Sequence, residues 1–198
     1  MRWWISGLSA LLLAGSAAAQ PVECDVDISS VSSWAVTMTG LRKLTADPGN
    51  DYVLACRGCN DILVSATITA VDARQPRPTD GVLALGNEQS HYRMLRDESL
   101  RAAFIEKYRS STVAIFRECS LSADFGDQLI VDGVALTEVH SMWHCPGGRA
   151  EWRRQTEMLG YRNGCGYSLK IGWLDKNPLS VGDRTRVRSL LDEVHLKP

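Results

Sequence analysis

Beyond its first residues, the chain has no apolar run approaching the roughly 20 residues that a membrane-spanning helix needs. Neither sign of charge dominates: 22 Lys and Arg stand against 23 Asp and Glu. Non-specific nucleic-acid binding draws on a strongly basic surface, and this balance argues against it. There is no glycine-rich phosphate loop of either common type, and no serine sits in a Gly-x-Ser-x-Gly elbow. Internal repeats and low-complexity linkers are missing as well. These absences remove nucleotide-phosphate chemistry of the usual kinds, the α/β-hydrolase arrangement and repeat architectures.

What is there starts with the leader. Met1-Arg2 gives a short positive region, Trp3 to Ala14 is mostly apolar, and Ala17-Ala18-Ala19 offers small residues for cleavage. This reads as a bacterial-type secretory signal peptide over residues 1–19, followed by a single exported domain over 20–198. No cysteine follows Ala14-Gly15 as a lipid attachment point. Losing Arg2 with the leader takes the formal charge from −1 to one unit more negative. The expected location is periplasmic or secreted, with no membrane span after signal cleavage.

All six cysteines, Cys24, Cys56, Cys59, Cys119, Cys145 and Cys165, follow the leader. An even number in an oxidising compartment reads as three disulfides, and the sequence leaves all the pairings open.

Periodicity outlines the elements. Ile62, Val64, Ala66, Ile68 and Ala70 alternate with other residues at period two, which marks a half-buried strand. Asp72 to Asp80, with Pro76 and Pro78, reads as an irregular connection. Leu100, Ala103, Phe104 and Tyr108 share a helical face behind an N-cap at Asp97. Thr112 to Cys119 returns to β character. Asp132-Gly133 lies between two β-rich runs, the strongest short-range hairpin signature because both residues tolerate φ > 0. Glu151 to Leu159 reads as a helix ended by Gly160, and Tyr167 to Leu174 as the final strand. Val187, Leu190, Leu191 and Val194 line up on a last helix, with His195 and Lys197 placed to suit its dipole. The class expected is α+β: an antiparallel sheet with about three helices in a disulfide-stabilised single domain.

Four constellations bear on function. Cys56-Arg57-Gly58-Cys59 has redox spacing, but a reactive thiolate gains from a helix N-terminus, and the residues that follow have strand character. A structural turn outweighs the redox reading. His140 and His144 would share a metal on a helix, whereas on a strand they stand about 13 Å apart, too far for ligands at about 2.1 Å each. Glu138, His140 and His144 are the candidates for any hydrolytic chemistry, with Cys145 as a nucleophile disfavoured by its cysteine pairing. Trp143, Arg149, Trp152 and Arg153 are the binding candidates, since Trp and Arg combine apolar area with donors. Arg154 extends that group, and Arg184, Arg186 and Arg188 form another before the last helix.

The reading that results is a non-catalytic binding or accessory protein of the bacterial envelope or extracellular space. It needs no cofactor or metal. Its partner is another protein or an envelope component, not nucleic acid. The alternatives are a periplasmic thiol–disulfide oxidoreductase using Cys56 and Cys59, and a small hydrolase or metalloprotein centred on His140 and His144.

Overall fold

The computed structural model describes residues 23–39, 49–59, 65–77, 83–113, 119–144, 153–174 and 181–197. In chain order the elements are β1 (Asp25–Asp27), β2 (Trp34–Thr39), β3 (Gly49–Cys56), β4 (Ser65–Asp72), α1 (Glu88–Met94) and α2 (Glu98–Val113). They continue as β5 (Ser120–Val131), β6 (Val134–His144), β7 (Arg153–Arg162), β8 (Cys165–Leu174), α3 (Val181–Glu193) and β9 (His195–Lys197). Seven strands form one antiparallel sheet in the order β2-β3-β4-β8-β7-β6-β5, and β1 pairs with β9 as a separate ribbon. The chain is an α+β protein.

Two dipeptides set the register of strands β5 to β8. Asp132-Gly133 turns β5 into β6 with φ of 48° and 75°, and Asn163-Gly164 turns β7 into β8 with φ of 51° and 84°. Positive φ at both positions matches the right-handed twist of the flanking strands, which is why Asn-Gly and Asp-Gly dominate such turns. The second hairpin replaces the helix expected over Glu151 to Leu159. Residues 151 and 152 lie outside the described residues, and from Arg153 the chain is strand. Glu, Arg, Gln, Met and Leu in this segment favour helix locally, but β7 is bonded on both sides, to β6 and β8. Tertiary pairing overrides propensity here. Gly160, expected to end a helix, sits inside the strand opposite Leu136.

Each face of the sheet has its own core. On one face α3 brings Val187, Leu190 and Leu191, and the residue after it, Val194, against Leu54, Ala66, Ile68, Leu136, Met158, Tyr167 and Ile171. On the other, Tyr108 of α2, with Phe104 and Ile105 beside it, packs against Leu121, Val139, Trp143, Leu159 and Tyr161. The alternation expected in β4 holds, with Ala66, Ile68 and Ala70 buried on one face, while residues 62 and 64 lie outside the described residues. Asp97 caps α2 as its position implies, accepting hydrogen bonds from the backbone N–H of Ser99 at 2.9 Å and of Leu100 at 3.4 Å. α2 runs through Val113, which displaces the start of the β character expected at Thr112; residues 114–118 lie outside the described residues. The sequence reading missed α1, although Asn87 and Ser90 form a reciprocal capping box at its start.

The two ends of the described chain are tied together. β1 pairs with β9, Lys197 bonds Asp27 at 3.0 Å, and the Cys24–Cys165 disulfide anchors the start of β1 to β8. His195 and Lys197 therefore belong to a strand and not to a helix end. Asp132 Oδ2 accepts the Leu196 N–H at 2.8 Å, so the β5–β6 turn holds β9 too. Glu193, at the end of α3, accepts hydrogen bonds from the backbone N–H and hydroxyl of Ser33 and the N–H of Ser32; the Ser32 N–H, first of these, lowers its carboxyl pKa. A bridge across a sequence separation of 141 residues restricts the unfolded chain strongly, by about 4–5 kcal/mol in the chain-entropy view. Cys56–Cys59 closes a separation of only 3 and restricts far less. Cys119 is disulfide-bonded as well. Such bridging fits an oxidising, extracytoplasmic compartment.

His91 provides a pH test of the helix-covered core. It is buried against Tyr161, with Nε2 2.9 Å from Thr137 Oγ1, and burial pushes its imidazole down to about 4. The unfolded chain takes up this proton near pH 6.5, so the folded state binds fewer protons between about pH 6.5 and 4. Its stabilising contribution is complete above that window and lost as the pH falls through it. Between pH 7 and pH 4, denaturant unfolding should show an acid loss about 1–3 kcal/mol larger in the unaltered protein than in His91→Gln, the carboxylates contributing equally to both. Equal losses in the two proteins would contradict this assignment.

Candidate ligand-binding cleft

Register decides which side chains meet. Directly paired residues of antiparallel strands share a face, so the pairings of β5 to β8 generate rows across the sheet. One row on the α3 face is Ser122, Met142, Arg154 and Trp173. The next is Asp124, His140, Thr156 and Ile171, and the third runs Glu138, Met158 and Leu169. Val187, Arg188 and Leu191 of α3 face the rows from above, and between helix and sheet is a cleft of about 450 Å³. That volume falls within the ordinary range for small-ligand sites. Its floor is mixed, with Leu129, Met142, Met158 and Trp173 as the apolar part. The acidic members come from β5 and β6, the basic ones from β7 and α3.

His140 is the centre of the polar part. Its Nδ1 lies 2.9 Å from Thr156 Oγ1, and its Nε2 lies 3.5 Å from Glu138 Oε2. Glu138 also accepts the Asp127 N–H at 3.1 Å, where the β5 register shifts between Phe125 and Gln128. This bulge brings the Gly126 backbone down onto the pair. A Cβ at Gly126 would come within 2.5 Å of both Glu138 Oε2 and His140 Nε2. The chain from Thr156 through His140 to Glu138 is thus held by packing of the edge strand.

The candidates from sequence divide clearly. Glu138 and His140 come together in the cleft. His144 does not join them, because it lies four residues further along the same strand, about 13 Å away. A shared metal is excluded by that spacing, and among the described residues no three His, Cys, Asp or Glu side chains converge as a metal site. Trp143 is corrected from a binding candidate to a core residue: it is 5% exposed and faces the α2 side with Leu121 and Tyr108. The side chains of Val139 and Trp143, at odd-numbered positions of β6, pack on the α2 side. Arg149, Trp152 and Cys145 lie outside the described residues, and of Arg153 only the main chain, paired with Trp143 in β7, is described. Asp124, Met142, Thr156 and Trp173 went unnoticed in sequence, since only the pairing register puts them in adjoining rows.

Two other features draw attention by their chemistry. Glu157 is 1% exposed on the α2 face, and accepts hydrogen bonds from Tyr108 at 3.0 Å and from Ser168, with Lys170 at 3.5 Å. Burial, then the Glu157 charge, raises the Tyr108 hydroxyl far above its ordinary value. Both carboxylate oxygens are engaged, which makes this network an anchor for α2 rather than an open site. A groove of about 430 Å³ also runs between α1 and α2, lined by Met94, Leu100, Phe104 and Tyr161 among others. Its polar members include His91, already held by Thr137.

Comparisons with known proteins add little to this geometry. No protein-family model matches the chain, and no curated protein matches it. Among solved structures the chain is similar to the cyanobacterial PsbP protein (CyanoP) of Synechocystis sp. PCC 6803, at 11% identity and a TM-score of 0.45, over 93% of this chain and 99% of that one. At that identity and score, neither fold nor function is taken from it. Among the described residues no helix is long and apolar enough to cross a membrane.

Gly126→Ala tests the packing of the bulge on the Glu138–His140 pair. The clashing atoms are side-chain ends that can swing aside, so the loss of stability should stay below about 1 kcal/mol. The His140 ring signals in an NMR spectrum should nevertheless move clearly, because both side chains must shift. Unchanged His140 signals would contradict the contact.

Proposed function

We propose that this is an exported binding or accessory protein, periplasmic or secreted, that holds its ligand in the cleft between β5–β8 and α3. The observation that carries this reading is the cleft itself: an apolar floor of ligand-sized volume with charged residues of both signs around it. The occupant that fits has an apolar body and polar ends, whether part of another protein or an envelope component. The leader over residues 1–19 and the cysteine content support export. A non-catalytic role fits the state of the polar chain. Thr156, the hydroxyl nearest His140, is 7% exposed and lies in a strand whose main chain is paired on both sides. Oxyanion stabilisation draws on backbone N–H groups aimed at the reacting centre, and ladder pairing occupies them.

One further reading has an observation of its own. Cys56 and Cys59 are bridged to each other, the pairing an oxidoreductase would need. Against it, Cys56 ends strand β3 and Arg57-Gly58 forms a turn, with φ of 71° at Gly58, so the first thiol gains nothing from a helix dipole. The bridge is better explained as a staple.

The cleft reading is tested with the mature protein and the apolar fluorophore anilinonaphthalene sulfonate. Met142→Arg, which fills the floor at a half-buried position, should weaken probe binding about tenfold or more while Tm stays within about 3 °C. Probe binding untouched by Met142→Arg would remove the cleft, and substrate turnover abolished by His140→Ala would remove the non-catalytic role. In glutathione buffers, Cys56–Cys59 should stay oxidised down to about −300 mV; reduction near −200 mV would instead favour the oxidoreductase.

A further inference from the structure

Resting on the binding reading above, the charge layout of the cleft narrows its occupant. Asp124 is exposed on β5, and Glu138, in the adjoining row, is held by the Asp127 N–H and His140. The acidic side chains thus belong to the two outermost strands of this side of the sheet. Arg154 belongs to the inner strand β7, and Arg188 is exposed on α3, the helix that covers the cleft. Between the two sets lie Met142 and Met158, flexible thioether side chains that adapt to apolar groups of varied shape. Trp173 closes the row beyond Arg154 with a flat apolar surface.

Spacing then sets the length. β5 and β7 are two strand spacings apart, about 10 Å at about 4.8 Å each. An extended chain advances about 3.4 Å per residue, so its two termini span that distance at about three residues. A single amino acid is too short to reach from an acidic rim to a basic one, and a fatty acid or a simple amine carries only one of the two charges. A volume of about 450 Å³ suits a peptide of this size.

We infer that the cleft takes a short free peptide of about three residues, its ammonium end toward Asp124 and Glu138, its carboxylate toward Arg154 and Arg188, and an apolar side chain on Met142 and Trp173. The main chain of such a ligand would lie along the middle row, over His140.

Calorimetry on the full mature protein with Ala-Leu-Ala, its N-acetyl form and its C-terminal amide tests this. Both blocked peptides should bind about fivefold more weakly than the free one, as expected for partly exposed ion pairs. Asp124→Asn should shrink the penalty of acetylation but not that of amidation, and Arg188→Gln the reverse, because Glu138 and Arg154 remain in the respective variants. Both substitutions are at exposed positions, so circular dichroism should show the fold intact. Equal binding of all three peptides, or penalties unmoved by the substitutions, would overturn the inference. If no peptide binds while anilinonaphthalene sulfonate still binds and Met142→Arg removes it, the peptide inference falls and the cleft reading stands.

Discussion

The register of four strands is what the site depends on. Side chains alternate between faces with period two, so a slip of one residue in β6 would exchange every residue on the α3 face for its neighbour on the α2 face. Trp143, Val139 and Ser141 would then enter the cleft, and His140, Glu138 and Met142 would be driven into the helix-covered core. Asp132-Gly133 and Asn163-Gly164 prevent this by fixing the β5–β6 and β7–β8 hairpins at tight turns that few residue pairs tolerate. The bulge at Gly126 adds one local adjustment, bending the edge strand over Glu138 and His140.

The two faces of the sheet use polar groups differently. On the α2 face, His91 and Glu157 are sealed and satisfied. His91 sits on Thr137, and Glu157 takes Tyr108, Ser168 and Lys170, so a carboxylate that is costly to bury becomes a fixed point between helix and sheet. On the α3 face the helix and the β1–β9 ribbon cover only part of the sheet, and the rows of β5 to β8 beyond them border the cleft. Closure of the chain ends, through Cys24–Cys165 and the hold of Asp132 on Leu196, keeps that cover in place.

Much of the architecture was legible in the sequence. The Asp97 cap, the alternation in β4, the Asp132-Gly133 hairpin and the last helix follow from local patterns of one period or one turn. The helix expected at Glu151 to Leu159 shows where such reading stops. Its residues favour helix individually, while Asn163-Gly164, a turn signal as strong as the first, announced a hairpin four residues beyond its end. The same limit applies to the site. Glu138 and His140 are two apart in one strand and could be paired on paper; Asp124, Thr156 and Trp173 come from three other strands and become neighbours only through pairing. Trp143 looked like a binding residue because its type is common in interfaces, yet its odd position in β6 assigns it to the core.

The most direct test is to map a ligand onto the protein. In heteronuclear NMR spectra of the mature chain titrated with Ala-Leu-Ala or anilinonaphthalene sulfonate, the backbone signals of Asp124, His140 and Thr156, the Trp173 indole and the Val187 and Leu191 methyls should move together. Movement confined to the groove between α1 and α2, or to the surroundings of Cys56–Cys59, would place binding elsewhere and contradict the account.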